Sequence, residues 1–270
     1  MLRVRLIRAS LCLAVLTAPL AAAVSDGSQY WPQWRGPTGN RGATQATPPV
    51  EWDEARNIRW KVPIPGMGHA SPIVWGDRVY ILTAAESPTD ESAVQYRILA
   101  LSRETGDVVW DRTAREASPH EGRHETNTHA SGSPITDGER IYAPFGSAGL
   151  YCYDMEGAPQ WDVDLGDMQK LYEFGEAASP ALYGDRLVVV WDHEGDSAIV
   201  ALNAVTGDEV WRTPRDEGSS WNTPLVVEYD DRVQVVVNGT NMITSYDLAD
   251  GSIIWQCGGM DPWRDPHPSP

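Results

Sequence analysis

Residues 118–134 read SPHEGRHETNTHASGSP, and they place His120, His124 and His129 beside Glu121 and Glu125. Imidazoles and carboxylates at this density are residue types that ligate metal ions. His120 and His124 share a face only on a helix, and Gly122 between them works against one. The stretch is therefore expected to be a surface loop with no metal. A second acidic run, WDHEGDSA (191–198), offers Asp192, His193, Glu194 and Asp196 as oxygen-rich cation ligands. The reading favoured there is an acidic, solvated hairpin. The chain shows no G-x-S-x-G elbow, no phosphate-cradling glycine loop and no C-x-x-C pair. Asn238-Gly239-Thr240 fits a glycosylation pattern, but Asn-Gly at a strand end reads more simply as a turn.

Any such groups must be carried by strands. The 270 residues include 24 Gly and 20 Pro, which favour turns, and no long stretch has apolar residues at helical spacing. A Gly–x₃–Trp phrase occurs four times, at Gly106–Trp110, Gly157–Trp161, Gly207–Trp211 and Gly251–Trp255. The tryptophans are 51, 50 and 44 residues apart. Each unit opens with Ser71-Pro72, Ser133-Pro134, Ser179-Pro180 or Thr223-Pro224. A turn follows at Gly76-Asp77-Arg78, Gly138-Glu139-Arg140, Gly184-Asp185-Arg186 or Asp230-Asp231-Arg232. Three markers in one order, four times over, describe four antiparallel strands per 40–50 residues, which is a β-propeller blade.

The fold expected is all-β: a β-propeller with blades at about 70–114, 131–165, 178–214 and 222–257. Strands in the third unit are expected at 179–183, 186–191, 198–204 and 209–213, and in the fourth at 223–228, 233–237, 242–247 and 252–256. Pro sits where a first strand begins and a missing N–H does least harm. The recurring Trp lies on the outer strand and covers the seam to the next blade. NIRWKVPI (57–64) looks like an orphan fourth strand that closes the last blade, with Trp60 in register 50 residues before Trp110. HPSP (267–270) matches HASP (69–72), as if a further blade begins there. About four blades with an orphan strand make an incomplete ring, expected to be a fragment of a longer product.

Residues 1–23 read as a signal peptide: Arg3, Arg5 and Arg8, an apolar run from Ala9 to Leu20, then Ala21-Ala22-Ala23. Cys12 lies inside that run, which argues against lipid attachment there, and the run is short for a membrane span. Residues 24–56 form an N-terminal extension before the propeller at 57–270. The expectation is a soluble, exported protein, periplasmic or extracellular. Net charge is −17, near −20 without residues 1–23, and Lys61 and Lys170 are the only lysines. So acidic a surface repels nucleic acid and anionic headgroups. Cys152 and Cys257 fall in strands of different repeats and are expected to be two buried free thiols.

The pattern Ala-Leu-x₃-Thr-Gly-x₃-Trp (100–110 and 201–211) resembles the pyrroloquinoline quinone (PQQ)-like repeat. That repeat builds the eight-bladed propellers of quinoprotein alcohol dehydrogenases and of the outer-membrane assembly protein BamB. WPQWRGP (31–37) and ASGSPITDGERIYAPFGSAGLYCYD (130–154) look more like an exported subgroup of such repeat proteins. The dehydrogenase resemblance implies a vicinal Cys–Cys disulfide beneath the quinone, with Glu, Asn and Asp on calcium. The chain has no adjacent cysteines, and that calcium set maps onto no particular residues. The reading is a non-catalytic binding or scaffold module for an unknown protein or small ligand. The alternative is a fragment of a PQQ-dependent oxidoreductase, for which PQQ and calcium would be the cofactors. Loops preceding first strands surround a propeller's channel, so His69, His129, Glu176, Trp221 and Asn222 are expected to cluster as the ligand or partner face.

Overall fold

A computed structural model describes residues 29–39 and 46–258. The expected signal peptide (1–23) and the blade restart at 267–270 lie outside them.

Among the described residues sixteen strands form four separate four-stranded antiparallel sheets, each in simple sequence order. The first holds β1 (Ile73–Trp75), β2 (Arg78–Glu86), β3 (Val94–Ser102) and β4 (Val108–Ala117). The second holds β5 (Ile135–Thr136), β6 (Arg140–Pro144), β7 (Leu150–Asp154) and β8 (Pro159–Val163). The third holds β9 (Ala181–Tyr183), β10 (Arg186–Trp191), β11 (Ala198–Asn203) and β12 (Glu209–Pro214). The fourth holds β13 (Leu225–Tyr229), β14 (Arg232–Asn238), β15 (Ile243–Asp247) and β16 (Ile253–Cys257). The expected strands recur within two residues at each end. The inner strands lie side by side in the row β1, β5, β9, β13, so the described blades form an unclosed arc. Among the described residues no helix is long and apolar enough to cross a membrane.

The three sequence markers correspond to three physical devices. Indole N–H groups of Trp110, Trp161 and Trp211 donate to the carbonyls of Met155, Ala204 and Leu248 in the next blade, at 3.1, 3.1 and 2.9 Å. Each ring lies against the glycine of that next blade's last turn. A Cβ on Gly157, Gly207 or Gly251 would come within 2.8 Å of the indole, at φ near +80°. Glycine is required there both for the left-handed backbone and for the ring's close approach. In all four sheets the third-to-fourth strand register slips just before the Trp, and in the first three the β-bulge turns that ring toward the seam.

The Ser/Thr of Ser/Thr-Pro links neighbouring blades near the axis. Ser71 N donates to Ser133 Oγ, Ser133 N to Ser179 Oγ and Ser179 N to Thr223 Oγ1, at 2.9, 2.9 and 3.2 Å. The core is accordingly three seams rather than one centre. Tyr80, Trp110 and Tyr153 fill the first, Tyr142, Cys152 and Leu202 the second, and Val190, Trp211 and Val237 the third.

Trp60 keeps its expected seam place, and one cysteine expectation needs correcting. Residues 57–64 join no sheet among the described residues, yet Trp60 behaves as a seam tryptophan. Its ring sits on Gly106 and its N–H donates to Arg103 O at 3.0 Å. Cys152 is buried as expected, and burial pushes its thiol up to about 12, but Cys257 is exposed. It lies on outer strand β16, where no described blade covers it. The two thiols are free.

The WPQWRGP segment crosses the inner strands. Trp31 pairs with Val74 on β1, Pro32 O accepts from Thr136 N on β5, and Gln33–Gly39 reach a cleft beside β9 and β13.

Candidate functional site

Antiparallel blades place every connection into a first strand at one end of the arc, together with every second-to-third strand hairpin. A pocket opens at that end across the first three blades. Its walls come from 118–132, the 145–149 hairpin and the β8–β9 connection. Phe145 and Leu150 give it an apolar side; His120, Glu121, Lys170 and Glu176 give it a polar one.

Lys170 is the deepest of these groups, with the residue only 6 % exposed. Its Nζ donates to the carbonyls of Asp192 and Ser220, both at 2.7 Å, and lies 4.9 Å from the centre of the Trp221 ring. Burial lowers its pKa to about 8, against the pull of Glu176, Asp192, Glu121 and Glu194. Its backbone N–H donates to the Glu121 carboxylate at 3.1 and 3.3 Å. Glu176 accepts from Ser147 N at 2.7 Å and from the Ser147 hydroxyl, which in turn accepts from Met168 N at 2.8 Å. Burial holds the Glu176 carboxyl above the usual range even so. Burial, then Arg123 and His120, lower the pKa of His129. A lysine, a glutamate and a histidine, all displaced toward their neutral forms in one pocket, mark a candidate functional site.

Asp192 lies behind this wall. Arg215 grips it through Nε–Oδ1 at 2.6 Å and Nη2–Oδ2 at 3.0 Å, Ser220 Oγ donates to it at 2.8 Å, and Tyr246 OH accepts from Arg215 Nη1 at 2.6 Å. The expected solvated hairpin at 191–198 is thus half wrong. Glu194 and Asp196 are exposed, but Asp192 and His193 are buried because the loop folds inward onto Arg215 and Gln169.

Of the five residues expected to cluster, His129 and Glu176 line the pocket. Trp221 lies beneath the Lys170 ammonium and donates its N–H to Gly175 O at 2.6 Å. His69 is exposed beside the insertion, its backbone N–H donating to Ala130 O at 3.0 Å. Asn222 is buried and ties its side chain to Asn238 O at 2.6 Å. The insertion is a non-helical loop, as expected. His124 turns away to Thr126 and the edge of Phe174, whereas His120 faces the pocket wall, 2.6 Å from Met168 O. Sequence reasoning missed Lys170 as a site residue, although a chain with two lysines that places one between Met168 and Leu171 carried a signal. It also missed Tyr172, 78 % exposed beside Lys170 and held at φ +52°.

Among the described residues no donor set for a quinone and its calcium is assembled. Cys152 and Cys257 lie on β7 and β16, Asp192 is committed to Arg215, and Asn222 serves the backbone.

Lys170 gives a stability prediction with a definite sign. Unfolded, it titrates at 10.5; folded, at about 8. Between those values the unfolded chain holds the extra proton, so unfolding free energy rises with pH, by up to about 3 kcal/mol across the window. Below about 8 the contribution is flat. Urea unfolding of the wild type minus Lys170→Met, followed from pH 7 to 10.5, reads this directly. A difference that stays level or falls contradicts it.

A family profile described as "Outer membrane protein assembly factor BamB" matches residues 22–170 and 148–262. No curated protein matches the chain. Among solved structures, the quinohemoprotein alcohol dehydrogenase ADHIIG of Pseudomonas putida HK5 is similar at TM-score 0.51 and 15 % identity, over 74 % of this chain and 35 % of that one. A europium-containing methanol dehydrogenase gives 0.51 and 15 %, over 73 % and 43 %. BamB from Moraxella catarrhalis gives 0.43 and 18 %, over 75 % and 67 %. The chain therefore spans less than half the length of the two dehydrogenases. These identities speak to fold alone.

Proposed function

The chain belongs to the PQQ-like repeat β-propeller family described as outer membrane protein assembly factor BamB, and from that premise we propose that it is an exported, non-catalytic binding module. Residues 1–23 direct export to the periplasm or beyond and are removed, 24–56 form the extension, and 57–64 add an outer strand to a closing blade. The loop face around 118–132 and 165–178 holds a protein or a small ligand. The observation that carries this reading is the pocket spanning three blades, with the exposed Tyr172 two residues along the chain from its lining residue Lys170. An exposed aromatic on a strained backbone is the kind of anchor that interfaces use.

A photo-cross-linking residue at Tyr172, in cells making the full chain, is expected to give a discrete adduct. The same residue at Val205, exposed on a β11–β12 turn at the opposite end, is expected to give none. Equal yields at both positions would sink the proposal.

The perturbed Lys170 and Glu176 favour a second reading, a portion of a PQQ-dependent oxidoreductase of the alcohol dehydrogenase type. Reconstitution with PQQ and calcium separates the two. Alcohol-dependent dye reduction, with the alcohol oxidised to the aldehyde, that needs both additions would put the second reading first; none is expected.

A further inference from the structure

His120 and Glu121 come from the β4–β5 connection, and Glu176 comes from the β8–β9 connection. One ligand atom from each lies within 4.8 Å of the others. We propose that His120, Glu121 and Glu176 form a binding site for a divalent transition-metal ion of the zinc class. This deepens the reading of the pocket as a binding site by naming one ligand it takes. Metal titration and cross-linking at Tyr172 are separate readouts, so either can fail alone.

The two carboxylates are held before any ion arrives. Ser147 orients both oxygens of Glu176, and the Lys170 backbone N–H orients Glu121. His120 Nε2 lies 3.9 Å from Glu121 Oε2, while Nδ1 on the other side lies 3.9 Å from Asp167 Oδ1. In this structure Nε2 carries the proton and donates it to Met168 O at 2.6 Å, so metal binding requires the tautomer with the proton on Nδ1, the side facing Asp167. Nε2 gives up its contact with Met168 O when the ion binds.

Charge balance points the same way. The Glu121 side chain is only 13 % exposed, and Glu176 is half-buried. Lys170 supplies one positive charge for the two carboxylates. Arg215 is committed to Asp192, and Arg115 lies 3.6 Å from Asp164. Buried carboxylates in excess of their cations are costly unless a further cation joins them. One imidazole nitrogen with two carboxylates suits zinc or manganese, whereas calcium prefers six to eight oxygens. Three protein ligands also leave a position open toward the pocket, where an anionic or carbonyl group of a bound partner could enter.

The test is calorimetric titration of chelator-treated full-length protein with Zn²⁺, with Mn²⁺ and Ca²⁺ as parallel arms. One Zn²⁺ per chain is expected, with Ca²⁺ much weaker. His120→Ala, Glu121→Gln and Glu176→Gln should each weaken Zn²⁺ at least about tenfold, while the exposed control Glu125→Gln should not. Equal affinity in all variants would mean diffuse binding by an acidic surface and would overturn the site, as would no binding at all. The visible spectrum of Co²⁺ bound to the wild type needs no variant to fold. Intense four-coordinate bands support the site; the weak six-coordinate spectrum of hydrated Co²⁺ counts against it.

Discussion

Trp110→Ala is expected to destabilise the protein by about 3–5 kcal/mol, while Trp255→Ala costs less than about 1 kcal/mol. The two residues hold the same place in the repeat and follow the same bulge. Their surroundings differ. Trp110 is 7 % exposed, packs between Tyr80 and Tyr153 with ring centres 5.9 and 6.4 Å away, and donates to Met155 O across the seam. Its removal leaves a cavity the size of an indole against the rigid Gly157 turn, and leaves the Met155 carbonyl without that donor. Trp255 is 41 % exposed and donates instead to Gln234 Oε1 in its own sheet, at 3.1 Å. Urea unfolding of both variants reads the difference. Equal losses would show that the tryptophan stabilises its own blade, and the seam account would be wrong.

That contrast also marks what the sequence reveals and what it hides. Repeat spacing reveals blades because each unit must meet its neighbour in the same way, so Gly157, Trp110 and Pro134 are copied wherever a seam is copied. The hydroxyl of Ser133 was visible as a marker, but its role was not. Its partner is the backbone N–H of Ser71, 62 residues earlier, and a backbone group leaves no trace in composition. The candidate site was less legible for a related reason. It is built from residues that do not repeat, such as Lys170, Glu121 and Ser147, each from a different connection. Histidine density directed attention to 118–134, and His120 does belong to the pocket. Glu176, rather than Glu125, meets it, because proximity there is set by how two loops fold across a blade. Asp192 was misread as solvated for the same reason: its partner Arg215 is 23 residues away in a later connection.

Arg215→Met is expected to cost about 3–5 kcal/mol, more than a surface ion pair could account for. The side chains of Arg215 and Asp192 are 1 % and 0 % exposed. Removing the guanidinium leaves a carboxylate sealed from water, with Ser220 Oγ as its remaining side-chain donor. It also takes a donor from Tyr246 OH across the third seam. The penalty is that of an orphaned buried charge rather than the worth of the pair. The double variant Asp192→Leu with Arg215→Met should therefore recover most of the loss, and a double-mutant cycle from urea unfolding measures this. A single variant within about 1 kcal/mol of wild type, or a double variant no better than the single, would contradict the argument. The effect should reach the pocket as well. The Asp192 carbonyl holds Lys170 Nζ, so loosening this loop frees the ammonium to leave the wall it shares with Glu121 and Glu176. In Arg215→Met the pH-dependent rise assigned to Lys170 should accordingly shrink, and in the double variant it should return.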